Sequence, residues 1–196
     1  MISCIEIALK PDLKDAQAAA LIHKAKTYFD IRIDDARCIN LISIDSGLAQ
    51  DQLSRVREEV FTNPVTQVSS LTPLDIDFDW CIWIGFRPGV RDNPGSTAKE
   101  AITDLLGYEF SAGEDIYTSI RYCIKGSHLT LEDMTTLAEQ LLSNSIIQQF
   151  KIFSADQWDP SIGIGTSVPK VILDHEPVFD TLNIGSNEEL AQISDE

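Results

Sequence analysis

An internal repeat dictates the architecture of this chain before any single motif does. Lys10-Pro11-Asp12-Leu13-Lys14-Asp15 returns 77 residues later as Arg87-Pro88-Gly89-Val90-Arg91-Asp92. The flanks follow at the same offset: Cys4, Ile5, Ile7 and Leu9 match Cys81, Ile82, Ile84 and Phe86. Further on, Leu53, Val56 and Val60 match Met134, Leu137 and Leu141 at an offset of 81. Asn63-Pro64-Val65 then matches Asn144-Ser145-Ile146. The drift in offset needs a small insertion, which residues 108–114 can hold. Two units of about 70–75 residues sit at the lower end of domain size.

Each unit has the same pattern. Ile5, Ile7 and Leu9 alternate with Cys4, Glu6 and Ala8, the period of a strand. A Pro-containing turn follows. Ala18, Leu21, Ile22, Ala25, Tyr28 and Phe29 then share one helical stripe. In the second unit Asn93 is expected as N-cap with Pro94 at the first helical position, and Gly107 ends the helix. Ala98, Ile102, Leu105 and Leu106 form its stripe. Middle strands are expected over 37–44 and 116–125, with an extra short strand before the middle one as an option. Second helices are expected over 49–61 and 131–142, the latter started by Thr130 and Asp133 as a variant capping box. Last strands are expected over 65–71 and 146–153.

The fold class this implies is α+β: two ferredoxin-like βαβ(β)αβ units with helices on one face of a small sheet. The organisation is unit one over 1–71, a linker over 72–78, unit two over 79–154, and an acidic C-terminal arm over 155–196. A lone unit leaves its second sheet face bare, and Trp80 and Trp83 need cover. Pairing of the units, face to face or edge to edge, into an intrachain pseudo-dimer is expected to provide it. In the arm, Val168–Leu173 suits a short edge strand or extended segment, and Ser186 with Glu189 suits a helix start.

Composition narrows function by exclusion. Fifteen Lys and Arg against 31 Asp and Glu leave a net charge of −16. Nucleic acid and anionic membranes both require a positive footprint, so neither is an expected partner. No apolar run is long enough to span a bilayer, and the N-terminus lacks the pattern of a secretory signal. A cytoplasmic location is therefore expected. The cysteines Cys4, Cys38, Cys81 and Cys123 form no C-x-x-C and are expected to be reduced, half-buried strand residues.

Catalytic constellations are missing. There is no phosphate-binding loop, and Gly163-Ile164-Gly165 has neither a strand before it nor a helical pattern after it. His23 and His128 suit a solvated helix and a loop, and His175 with Asp174 and Glu176 lacks the spacing of a metal cage. Asp34, Asp35, Glu114 and Asp115 are expected as solvated turn residues. The strongest contact candidates are the two turns: Lys10 and Asp15 in the first, Arg87, Arg91, Asp92 and Asn93 in the second, with Lys99 nearby.

The repeated turn, followed by a helix, a middle strand, a second helix, Asn-Pro-Val or its variant and a final strand, resembles the PurS family. PurS is the small subunit of phosphoribosylformylglycinamidine synthase, a purine-pathway ligase that places glutamine-derived ammonia onto an amide. The resemblance covers about residues 4–153, and tandem copies resemble the N-terminal region of the fused, PurL-type enzyme. The stretch 182–190 is similar to the lead into that enzyme's linker region. Two positions depart: Asp12 replaces a glycine in the first turn, and Ser145 replaces the proline of the second Asn-Pro. The resemblance implies a non-catalytic bridging role that positions synthetase and glutaminase. It implies no cofactor in this chain, with ATP and Mg expected only in the synthetase part. A ferredoxin-like ligand-sensing or regulatory module is the alternative.

Overall fold

The computed structural model describes residues 2–165 and 168–171. The first half runs β1 (Ile2–Leu9), α1 (Ala16–Phe29), β2 (Asp35–Asp45), α2 (Gln50–Val56) and β3 (Gln67–Ser70). The second runs β4 (Trp80–Phe86), α3 (Asn93–Leu106), β5 (Asp115–Lys125), α4 (Leu131–Leu137) and β6 (Gln148–Ser154). The protein is thus α+β, with one six-stranded antiparallel sheet in the order β3-β1-β2-β5-β4-β6. The optional extra strand is absent, and each half contributes three strands.

Edge-to-edge pairing of β2 with β5 joins the halves. Asn40 faces Ile120, flanked by Cys38 with Tyr122 and Ile42 with Thr118. Both strands are 11 residues long, and all 11 positions pair. This pairing covers neither tryptophan, contrary to expectation. Successive strand residues point to opposite faces, so Trp80 lies on the helical face and Trp83 on the other. The indole of Trp80 donates to the Leu129 carbonyl at 3.1 Å.

The helices α1 to α4 all pack on one face, in two pairs that each mix the halves. α1 and α4 share a core of Leu21, Ala25, Cys38, Ile82, Ile124, Met134 and Leu137. α2 and α3 share another, with Ile5, Ile7, Leu53, Val56, Ile102 and Ile116. The expected stripes face the cores: Ala18, Leu21, Ala25, Ala98 and Ile102 are buried, Ile22, Phe29, Leu105 and Leu106 are half-buried, and Tyr28 is 69 % exposed. At 100° per residue it falls on the flank of the stripe, outside the core, where its ring meets that of Phe29 edge-on at 6.5 Å.

The second face is covered by the chain's own connections, because side-by-side halves leave their bare faces continuous. Leu74, Ile76 and Phe78 of the linker and Trp158 of the segment after β6 pack on Ala8, Ile39, Cys81, Cys123 and Phe153. A 3-10 turn over Ala155–Gln157 leads into Trp158.

Local signals differ from expectation in small ways. The N-cap of α3 is Asp92, not Asn93, so Pro94 stands at the second helical position. Asp92 wins because its carboxylate accepts from the Gly95 amide at 2.8 Å while Asn93 faces solvent. Asp15 does the same for α1. The left-handed residue that ends α1 is Asp30, and Gly107 takes that place in α3. Thr130 and Asp133 form a complete capping box. α2 and α4 both continue as π-helical turns, Arg57–Phe61 and Ala138–Leu142. The last strands start two residues later than expected, because Asn63 and Asn144 hold a turn first. In each, the asparagine carbonyl accepts from the amides three and four residues on, and its side chain accepts from the amide two on. Residues 168–171 lie in neither helix nor strand. Residues 166–167 and 172–196 of the expected arm, including His175 and Ser186, lie outside the described residues.

Candidate functional site

The six contact candidates occupy equivalent places at the two β-to-helix turns, where most of them serve the turn itself. The Lys10 ammonium donates to the Pro64 carbonyl at 2.7 Å, and the Arg87 Nε donates to the Gln148 carbonyl at 2.9 Å. Lys10 therefore ties the first turn of its half to the turn before β3, and Arg87 ties that of its half to the start of β6. The backbone repeats this tie, with Lys10 N–H to Thr66 and Arg87 N–H to Ile147. Arg91 and Asn93 are exposed. Lys99 does not join Arg87 and Arg91. It donates to the Glu114 carbonyl at 2.9 Å and the Asp115 carboxylate at 3.2 Å.

Asp15 and Asp92 each bind two elements at once. Asp15 caps α1 through one oxygen and accepts from the Cys38 amide of β2 at 2.9 Å through the other. Asp92 caps α3 and accepts from the Thr118 amide and hydroxyl of β5. Each carboxylate thus docks a helix N-terminus onto a central strand that offers it an amide. Asp15→Ala or Asp92→Ala removes a cap and orphans a strand amide, an expected loss of about 1–2 kcal/mol for the cap alone. Chemical denaturation of each variant measures this, and Asp92→Asn should recover part of the loss.

A second bracket went unread in the sequence. Glu114, expected as a solvated turn residue, accepts from the amides of Gly47 (2.7 Å) and Ser111 (2.9 Å) and from the Tyr108 hydroxyl. These bonds, led by that from the Ser111 amide, hold its carboxyl below the ordinary range. They clamp the turn after β2 to the loop before β5.

Between the two helix pairs a groove of about 340 Å³ opens on the helical face. Its floor is Asn40, Ile84, Thr118, Ile120 and Tyr122, and Pro94 and Leu142 stand at its sides. It lies over the Asn40–Ile120 pair, where β2 meets β5. Its lining is mostly apolar, and no charged side chain lines it. Burial pushes the Tyr122 hydroxyl up to about 12, so it is a neutral donor.

The opposite face holds a buried ion pair. Arg121, fully buried, donates to Glu6 at 2.6 Å across β2. Glu6 also accepts from the Leu74 amide at 2.7 Å. Burial raises the Glu6 carboxyl, while Arg121 and the Leu74 amide pull it back. The Trp158 ring lies 4.6 Å from the Arg121 guanidinium. Among the described residues the Arg121 Nε and Nη1 and the Trp83 indole nitrogen find no hydrogen-bond partner.

Among the described residues no three His, Cys, Asp or Glu side chains could hold a metal ion. His23 and His128 are exposed on separate elements, α1 and the turn before α4. Cys4 and Cys38 are poor nucleophiles, since burial pushes both thiols up, Cys4 to about 12. No helix among the described residues is long and apolar enough to cross a membrane. Compared with known proteins, the chain matches no family model and no curated protein.

Proposed function

We propose that the chain is a PurS-like, non-catalytic bridging part of phosphoribosylformylglycinamidine synthase, built as two ferredoxin-like units in an intrachain pseudo-dimer. Its role is to hold synthetase and glutaminase together so that ammonia passes between them without escaping to water. The observation that carries this reading is the paired bracketing of the two halves. Lys10 and Arg87, Asp15 and Asp92, and Asn63 and Asn144 make matching bonds on either side of the shared β2–β5 pair. Polar side chains spent on such brackets support a scaffolding role, in which the chain acts by placing other groups. The exposed Arg91 and Asn93, beside the second turn, are the contact residues this reading favours. ATP and Mg belong to the synthetase partner, and no cofactor to this chain.

The test is reconstitution. Mixed with the synthetase and glutaminase parts of the enzyme, the chain should co-migrate with them. It should also raise the amidated product formed per glutamine consumed, while releasing no ammonia from glutamine by itself. Independent migration with unchanged coupling would refute the proposal.

The groove favours a second reading, a ligand-sensing module with its pocket where the halves meet. Ile120→Trp separates the two, because filling the groove should abolish ligand-induced thermal shifts and leave partner assembly intact.

A further inference from the structure

Cys81 and Cys123 are direct partners in the β4–β5 register and point to the same sheet face. Paired positions of antiparallel strands have Cα atoms about 4.5–5.5 Å apart. A disulfide spans Cα separations of roughly 4.4–6.8 Å, so this pair needs no backbone shift to close. Both side chains are buried in the same cluster on that face, Cys81 completely and Cys123 to within 2 %. The neighbouring Cys81 side chain and, after it, Arg121 on the same face lower the Cys123 thiol against the burial that would raise it. Arg121 stands two residues from Cys123 and is fully buried.

Trp158 is one of the side chains that cover this face, with Leu74, Ile76 and Phe78 of the linker. Trp158 packs edge-on against Phe78 at 5.4 Å and Phe153 at 5.8 Å, within the same cluster as both cysteines. It belongs to a turn-rich segment outside the sheet, whereas Cys81 and Cys123 sit on its inner strands. Segments of that kind open at lower free energy than core strands.

We propose that Cys81 and Cys123 are a redox-active dithiol, closed to a cross-strand disulfide by a low-molecular-weight disulfide such as oxidised glutathione when the Trp158 segment lifts. The Cys123 thiolate attacks one sulfur of the oxidant, forming a mixed disulfide and expelling one thiolate. The Cys81 thiolate then attacks the Cys123 sulfur, forming the intrachain bond and expelling the second. The protons given up by the two cysteines are taken by the two released thiolates. Two electrons pass from the protein to the oxidant, and an excess of small thiol reverses both steps. Because the strands are already paired, closure leaves the fold in place and covalently joins β4 to β5.

The experiment uses the full chain carrying Cys4→Ser, which removes the thiol that is only half-buried. After incubation with oxidised glutathione, non-reducing peptide mapping should find one Cys81–Cys123 disulfide. The intact mass should fall by two hydrogens, dithiothreitol should restore it, and Cys38 should stay unmodified. Trp158→Ala should speed closure roughly tenfold by removing the stacked ring, and Trp158→Phe should speed it less. Retention of both free thiols after prolonged exposure would overturn the proposal, as would a glutathione adduct that never resolves. Modification of Cys38 at the same rate would also overturn it, because oxidation would then follow global unfolding rather than local opening.

Discussion

Val56→Asp or Leu137→Asp is expected to abolish cooperative folding of the whole chain. Both side chains are fully buried, one in each helical core. Each substitution forfeits about 1.5–3 kcal/mol of apolar burial. It also places a carboxylate where no cation faces it, adding several kcal/mol. Against a total stability of about 5–15 kcal/mol, either change is close to sufficient alone. The damage cannot stay within one half. Val56 packs in the same core as Ala98, Ile102 and Ile116 of the second half, and Leu137 with Ala18, Leu21 and Ala25 of the first. Circular dichroism should therefore show loss of helix and sheet signal together, and wild type should melt in one transition. A variant that keeps half its signal and melts at the wild-type temperature would contradict the shared cores.

The second large effect concerns Glu6 and Arg121. Glu6→Leu should cost roughly 3–5 kcal/mol, because it strands a fully buried guanidinium that cannot lose its charge. Arg121→Met should cost a similar amount at neutral pH, but its cost depends on pH. Without the guanidinium, the Glu6 carboxyl, already raised by burial, rises further. A group whose folded pKa exceeds its unfolded value contributes stability that is present below the unfolded pKa and lost as pH rises through the folded one. The Arg121→Met deficit should therefore shrink on acidification, while the Glu6→Leu deficit should not. The double variant Glu6→Gln/Arg121→Met should be as stable as wild type or more so. The glutamine still accepts from the Leu74 amide, and the Arg121 Nε and Nη1, which find no partner among the described residues, are gone. Urea denaturation of the four proteins at two pH values decides the matter.

The buried pair also explains how a bare sheet face is managed. A face covered only by connections cannot supply as dense an apolar layer as a helix pair. Here the linker contributes Leu74, whose amide and carbonyl both bond to the ion pair, at 2.7 Å and 3.4 Å. The polar contacts thus pin the cover in one position, while Phe78 and Trp158 supply the area.

Much of the local structure was legible in the sequence, because it rests on short-range periodicity. The alternation in Ile5–Leu9, the stripe of α3, the capping box at Thr130 and the left-handed Gly107 are decided by residues within a turn of one another. Recurrence of the turns was legible too, since Asn63 and Asn144 need only their neighbours to make their bonds. The competition between Asp92 and Asn93 was not, because Asp92 is held by Thr118, 26 residues away. Nor was Glu114, whose partner at Gly47 comes from the other half.

The sequence by itself determined the elements, their order and the two kinds of face, because hydrophobic period and capping chemistry are local. Only the tertiary structure decided how the halves meet, which helices share a core and what covers the second face. Those outcomes turn on β2 and β5 both being long, buried in part on both faces and free on one edge until they pair. Backbone hydrogen bonding makes that edge available but names no partner. Glu6 and Arg121 are ordinary strand charges in the sequence. They become a buried pair only because β2 runs between them and the linker crosses above.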